Sequence, residues 1–400
     1  MSEGLLVVGV VVAGFVAYNI GGATTGPAFG PAVGAGAIGK LAAATLMSVF
    51  FFGGAWTLGR RVVETLGSDL LRDPSAFTLE ASILVLFFIG GALLVGNLAG
   101  VPASTSMTAV GAIAGFGLAA GELDFAVVGE IVSWWILSPV IGFWVSVMIG
   151  RYLYPHIDRA FAIDRSEGPL LRIDRSGSFP RVVPGESTTQ REVLGTVTVV
   201  GIGCLMAFSS GASNVANAVA PLVGSGELGM NTAIVLGSVA VSIGTFTIAR
   251  RTMQTLGNDI TDLPLTAAVI VAVVSSTIVV VLSALGVPVQ FVIIATLSIV
   301  GLGWGRATRT VTIVEAVRGE KIQLSTGALG ADRSPTVGDP SPGLEPISRD
   351  AIGEASAGDL PATADLFDPG TTGRVVVIQN VVPILATLGS YGTFRLLLFV

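Results

Sequence analysis

The sequence predicts an all-α polytopic membrane protein of about 10–12 membrane segments, with broken or re-entrant helices and a duplicated unit. Three observations carry that fold class. Charged residues are 12% and hydrophobic residues 52% of 400 positions, and mean hydropathy is +0.80. A soluble chain carries roughly 25% charge, so this one has too few charges to cover a water-facing surface. Long apolar stretches alternate with apolar pieces rich in glycine and proline. The first half also resembles the second.

Apolar stretches able to approach or cross a hydrocarbon core of roughly 30 Å occupy 4–20, 41–58, 78–100, 125–150, 193–208, 230–249, 263–285, 290–305 and 375–400. The first begins at Gly4 with no basic region before it, so it reads as a membrane span and not as a cleaved export signal. Residues 21–39, 101–120 and 211–228 are apolar but too short and glycine-rich for simple spans. They read as broken or re-entrant helices, which survive at membrane depth only where protein or a wet cavity satisfies their backbone.

Two stretches are polar. Residues 151–192 hold seven Arg and six acidic residues and read as a soluble loop between repeats, whose arginines favour the cytoplasm. Residues 306–372 are acidic and rich in Gly, Pro, Ser and Ala, and disorder is expected from 325 to 372 because so little apolar area offsets chain entropy. The organisation is then a first membrane repeat over 1–150, the loop 151–192, a second repeat over 193–305, the insert 306–372, and a final membrane helix over 373–400.

Displacing the sequence by 190 residues shows the duplication. Gly30-Pro31-Ala32-Val33-Gly34-Ala35-Gly36 falls on Ala220-Pro221-Leu222-Val223-Gly224-Ser225-Gly226. Arg60-Arg61 falls on Arg250-Arg251, and Thr65-Leu66-Gly67-Ser68-Asp69 on Thr255-Leu256-Gly257-Asn258-Asp259. Gly100-Val101-Pro102 matches Gly286-Val287-Pro288 at a displacement of 186.

Composition excludes several chemistries. One Cys and one His leave no intrachain disulfide, no Cys/His zinc cluster and no His-rich metal site. Cys204 reads as helix packing and His156 as a solvated loop residue. A net charge of −6 argues against nucleic acid. Gly34-Ala35-Gly36-Ala37-Ile38-Gly39-Lys40 has P-loop spacing, but Leu41 stands where a magnesium-binding Ser or Thr belongs. Glu64, Asp69, Asp259 and Asp262 read as polar turns or caps, and Glu130 as an interfacial residue beside Trp134 and Trp135.

Internal repeats with glycine-interrupted segments at matching positions point to a secondary transporter and its binding site. The polar residues in those segments are uncharged: Thr24 and Thr25; Ser104, Thr105 and Ser106; Ser209, Ser210, Ser213, Asn214 and Asn217. Half-helix N-termini expose free N–H groups and a positive partial charge that favour anions. With hydroxyl donors and no Lys or Arg, such a site suits a tetrahedral oxyanion. The same oxygens could ligate Na⁺. The bland alternative is that these residues only assist close helix packing.

Phe208-Ser209-Ser210-Gly211-Ala212-Ser213-Asn214-Val215-Ala216-Asn217-Ala218 resembles the Gly-Ala-Asn-Asp-x-Ala-Asn signature of the inorganic phosphate transporter (PiT) family. Ala28-Phe29-Gly30 with Val33-Gly34-Ala35-Gly36 is similar to the stretch just after that signature in the family's first repeat. Gly59-Arg60-Arg61-Val62-Val63-Glu64-Thr65-Leu66 resembles the family's Gly-x-x-Val-x-x-Thr-Ile element, and Gly100-Val101-Pro102-Ala103-Ser104-Thr105-Ser106 its Gly-Leu-Pro-Val-Ser-Thr-Thr segment. Trp135-Ile136-Leu137-Ser138-Pro139 is similar to the helix closing each repeat, with Pro383 marking the second copy.

The resemblance implies two inverted-topology repeats, cation-coupled phosphate uptake by Na⁺ or H⁺ symport across the cell membrane, a homodimer in the lipid bilayer, and no enzyme activity. By position it nominates Ser104, Thr105, Ser106, Ser213, Asn214 and Asn217 for substrate; Thr24 and Thr25, the polar residues of the first broken segment, join them, and Asn214, Asn217 and Thr24 are the cation candidates. No cofactor is implied beyond Na⁺ as coupling ion. The departures are specific. The signature Asp falls on Thr24 and Asn214, the preceding Asn on Ala23 and Ser213, and the later Asn on Pro27 and Asn217. A following-helix carboxylate falls near Phe51, and the second Ser-Thr-Thr segment is replaced by Gln290-Phe291-Val292.

Missing carboxylates bear on coupling. One charge moved against the potential costs roughly 2.3 kcal/mol per 100 mV, so a divalent anion costs about twice that, which two co-transported cations would cancel. Phosphate transport leads this reading. Carriage of another oxyanion such as sulfate, or altered or lost cation coupling, is the alternative. A membrane enzyme would need acid and base groups at membrane depth, and a sensor would bind the anion without flux.

Overall fold

Helices that are apolar all the way round have no water-facing side, and this chain is built almost entirely from them. The computed structural model describes residues 2–34, 37–98, 104–154, 156–157, 171–174, 181–184, 190–247, 265–289, 291–307 and 369–397. In chain order these give α1 (Ser2–Gly34), α2 (Lys40–Thr57), α3 (Gly59–Glu64), α4 (Leu79–Leu98), α5 (Thr105–Ala120) and α6 (Phe125–Met148). The second half gives α7 (Gln190–Gly224), α8 (Met230–Thr247), α9 (Leu265–Ala284), α10 (Phe291–Ala307) and α11 (Pro369–Leu397). Among the described residues, six helices are long and apolar enough to cross a membrane, and α2 with α3 and the π-turn after it forms an apolar pair bent by 62°, the shape of a broken span or a re-entrant loop. The shorter apolar α5 and α10 complete the core with α11. This is a multi-pass membrane protein.

The two halves interlock by the same contacts. A Cβ at Gly211 in α7 would overlap the Phe51 carbonyl of α2, and one at Gly54 in α2 would overlap the Phe208 carbonyl of α7. At the positions displaced by 190, a Cβ at Gly21 in α1 would overlap the Val241 carbonyl of α8, and one at Gly244 the Tyr18 carbonyl of α1. Later in each half, a Cβ at Gly115 in α5 would overlap the Thr387 carbonyl of α11, and one at Gly301 in α10 the Phe143 carbonyl of α6. Thr387 and Phe143 each stand four residues after a helix proline, Pro383 and Pro139. Each helix therefore packs on the partner that its counterpart's position predicts.

Those glycines correct the expected breaks. Of the expected broken segments 21–39 and 211–228, residues 21–34 and 211–224 run inside the continuous helices α1 and α7. Glycine at these positions permits backbone-to-backbone approach. Thr24 and Thr25 satisfy their hydroxyls within the helix by donating to the Ile20 and Gly21 carbonyls, at 2.9 and 2.7 Å. Among the described residues, the chain instead bends by 62° between α2 and α3, starts a new helix at Ser104 and turns between α9 and α10. Ser104 N-caps α5, its hydroxyl accepting from the Met107 N–H at 3.4 Å. The α9 end turns at Gly286 (φ 82°), where the Val287 N–H bonds back to the Leu282 carbonyl at 2.9 Å.

A short antiparallel hairpin, β1 (Leu171–Asp174) with β2 (Arg181–Pro184), adds strands to the loop 151–192. The expected disorder over 325–372 lies outside the described residues up to 368, and its last four residues open α11. Asp259, Asp262, Arg250 and Arg251 also lie outside the described residues. His156, Glu64, Asp69 and Glu130 are exposed, while Cys204 is buried in α7.

Candidate functional site

A helix start leaves its first N–H groups without intrahelical acceptors, and two such starts border one cavity. The cavity measures about 100 Å³, several times the roughly 10–15 Å³ that admits one water. Its walls include Ser104 and Thr105 at the head of α5, and Phe291, Val292 and Ile293 at the head of α10. Thr24 enters from α1, Ser210, Ser213 and Asn214 from α7, Val289 from the break before α10, and Gln379 from α11. Both halves therefore build it.

Hydrogen bonds lock the polar wall across that boundary. Thr105 Oγ1 donates to Asn214 Oδ1 at 2.6 Å, and Asn214 Nδ2 donates to Ser210 Oγ at 3.1 Å. The Val289 N–H donates to Ser213 Oγ at 3.2 Å, tying the second break to the signature helix. Asn217 Nδ2 donates to Ser106 Oγ and to Asn214 Oδ1, each at 3.3 Å. Asn217 Oδ1 accepts nothing and is buried.

Five of the eight nominated residues, Thr24, Ser104, Thr105, Ser213 and Asn214, therefore line the cavity. Ser106 and Asn217 stand behind that wall, 1% and 0% exposed, and touch its lining through Asn214. Thr25 faces away: its hydroxyl meets Thr245 Oγ1 of α8 at 3.0 Å in the core. Ser210 belongs to the polar cluster seen in the sequence, and its spacing of four from Asn214 puts both on one helix face. Gln379 went unnominated because α11 has no counterpart of the signature. Its only signal is an amide in an apolar helix, four residues before Pro383.

The site's electrostatics come from dipoles. No lining residue is ionisable, and among the described residues no three His, Cys, Asp or Glu side chains gather to hold a metal. Positive potential comes from the helix heads of α5 and α10. Acceptors come from hydroxyl, amide and backbone oxygens. Pro27, one turn along α1, has no N–H for the Ala23 carbonyl, and both residues line the cavity. Such a wall can hold a small anion by donors while offering oxygens to a cation.

The chain is also similar to known proteins. The model of the phosphate transporter family matches residues 20–326. The sulfate permease CysP of Bacillus subtilis (strain 168) is 30% identical over 73% of this chain and 75% of that protein. A protein named "Putative phosphate permease" from Chlamydia trachomatis is 28% identical over 77% of this chain and 92% of that protein. A solved structure titled "The sodium-dependent phosphate transporter" is 18% identical and superposes with a TM-score of 0.66, covering 100% of both chains; it shows the shared fold. The family match spans well over half the sequence, and the chain belongs to the phosphate transporter family.

Proposed function

We propose that this chain is a secondary transporter that carries inorganic phosphate across the cell membrane in symport with Na⁺ or H⁺. The observation that carries the reading is one uncharged cavity at which two helix N-termini meet hydroxyl and amide groups from both halves. Desolvating an oxyanion is costly, and fixed N–H and O–H donors in a dry site replace its water. If the repeats are inverted, rocking one half against the other around this cavity gives alternating access. The coupling cation would rest on Asn214, Thr24, Asn217 and freed carbonyls such as that of Ala23. A homodimer in the bilayer belongs to the same reading.

A specific feature favours sulfate as the second reading. Phosphate near neutral pH carries protons that call for an acceptor, whereas sulfate carries none. The lining has no carboxylate, and a Bacillus subtilis relative is a sulfate permease. Uptake of labelled phosphate into proteoliposomes, with sulfate as competitor and with Na⁺, pH and voltage varied separately, tests both. Saturable phosphate uptake driven by a cation gradient is expected. Uptake of sulfate without phosphate selects the second reading, and anion binding without flux defeats both.

A further inference from the structure

Each half closes with a proline-containing helix, and the residue four positions before that proline is an N–H donor facing different fates. In α6 it is Trp135, four before Pro139. Its indole Nε1–H donates to the Pro288 carbonyl at 2.8 Å, so the donor is used up on the break before α10. In α11 it is Gln379, four before Pro383. The equivalence holds in three dimensions, because Gly301 seats on Phe143 and Gly115 on Thr387, each four residues past its proline.

Gln379 has no such partner. The residue is 6% exposed, its Nε2 is shut away from solvent without any acceptor, and it lines the same cavity as Ser104, Thr105 and Asn214. A buried amide N–H₂ left unpaired is unfavourable. The terminal torsion of a glutamine is broad, so this amide can present its donors to an oxygen placed in the cavity. It would add a side-chain N–H₂ donor from the final helix to the hydroxyl and amide groups that Ser104, Thr105, Ser213 and Asn214 bring to the lining.

We propose that Gln379 is an anion-binding residue, whose side-chain N–H₂ donates to a tetrahedral oxyanion held in this cavity. This rests on the transport reading above and deepens it by assigning a ligand on the final helix. The donor class matters. An amide N–H₂ carries no charge to trap a dianion, and it recognises an unprotonated oxygen, which phosphate and sulfate both present.

The test uses the purified full chain, with labelled phosphate and labelled sulfate as probes, in Gln379→Leu and Gln379→Glu. Binding is measured in detergent and uptake in proteoliposomes, with thermal melting as a check on folding. Gln379→Leu keeps the bulk and removes the donors, so anion affinity is expected to fall about ten- to a hundredfold, the scale of one hydrogen bond to a charged group. Gln379→Glu replaces donors with a negative charge at neutral pH. Its affinity relative to the parent chain should be lowest at high pH, where the new carboxyl is ionised, and recover as it protonates, in a range that burial moves above the ordinary carboxylate value. A residue that merely packs gives no such pH profile.

Unchanged affinity in a folded Gln379→Leu protein overturns the proposal. So does a folded Gln379→Glu protein whose affinity relative to the parent chain is the same at low and high pH, because the carboxyl would then lie out of the anion's reach. If the parent chain neither binds nor moves either anion, the transport reading itself fails, and that outcome is read before any variant is made.

Discussion

Thr105 at the head of α5 donates a 2.6 Å hydrogen bond to Asn214 Oδ1 in the middle of α7, joining the first half's break to the second half's signature at the cavity wall. Asn214 in turn receives Asn217 Nδ2 and donates to Ser210, so one contact organises four side chains. Thr105→Val keeps the shape and removes the donor. It is expected to weaken oxyanion binding by about 1–3 kcal/mol, the cost of a broken polar contact in a dry site. Isothermal binding and the KM for uptake check this, and an unchanged KM would make the contact incidental.

Asn214→Asp reinstates the carboxylate that the family signature has at this position. Once ionised, the new carboxylate would lie in an uncharged wall, where an unpaired negative charge is unfavourable and opposes an anion. A bound cation removes both penalties. The variant is therefore expected to make uptake depend steeply on Na⁺, with little flux in its absence, even where the parent chain tolerates low Na⁺. Uptake measured across a Na⁺ series decides it; equal Na⁺ curves for the two proteins would place the cation elsewhere.

Much of this architecture was legible in the sequence, and the reasons are local. The matched Pro31/Pro221 and Gly-rich runs showed the duplication, and the Ser104-Thr105-Ser106 cluster marked the polar wall that the structure places at the head of α5. The misreading of 21–39 and 211–228 as broken segments came from glycine's two uses. It loosens a helix, yet it also lets two helices touch backbone to backbone, and only the neighbour's position tells which. Gly21 and Gly211 serve the second use. Gln379 was illegible for a related reason: its role depends on lacking a partner, and sequence does not record an absence of contact.

The glycine contacts make a stability prediction with an internal control. Gly54→Ala and Gly211→Ala each place a methyl group on a backbone carbonyl of the opposite half, and backbone cannot move aside as a side chain can. Overpacking of this kind costs typically about 1–3 kcal/mol and occasionally more. Both variants should show markedly lower melting temperatures and poor yield. Gly14→Ala has nothing within 4 Å of the new Cβ and trades a poor helix former for the best one. It should be neutral or gain up to about 1 kcal/mol. Thermal melting by fluorescence-detected gel filtration ranks them, and parity between Gly211→Ala and Gly14→Ala would contradict the interlocked packing.

The turn after α9 links stability to transport. Arg61 Nη1 donates to the Ala284 carbonyl at 2.5 Å, capping the end of α9 from the other half. Gly286 then takes a φ of 82°, and a Cβ there would meet Thr65 Oγ1 at 2.8 Å. Three residues later, Val289 reaches Ser213 through its N–H. Gly286→Ala forces a left-handed conformation costing about 1–2 kcal/mol and crowds Thr65 as well. The strain can relax only by shifting the turn, which pulls the Val289 N–H away from Ser213 at the cavity wall. We expect a modest fall in melting temperature with a much larger fall in maximal uptake. Thr65→Ser removes a methyl group but keeps the crowding hydroxyl, whereas Thr65→Ala removes that contact. Adding Thr65→Ala to Gly286→Ala should therefore recover part of the flux, and Thr65→Ser should not. Equal behaviour of the two double variants would mean that the turn acts through something other than this contact.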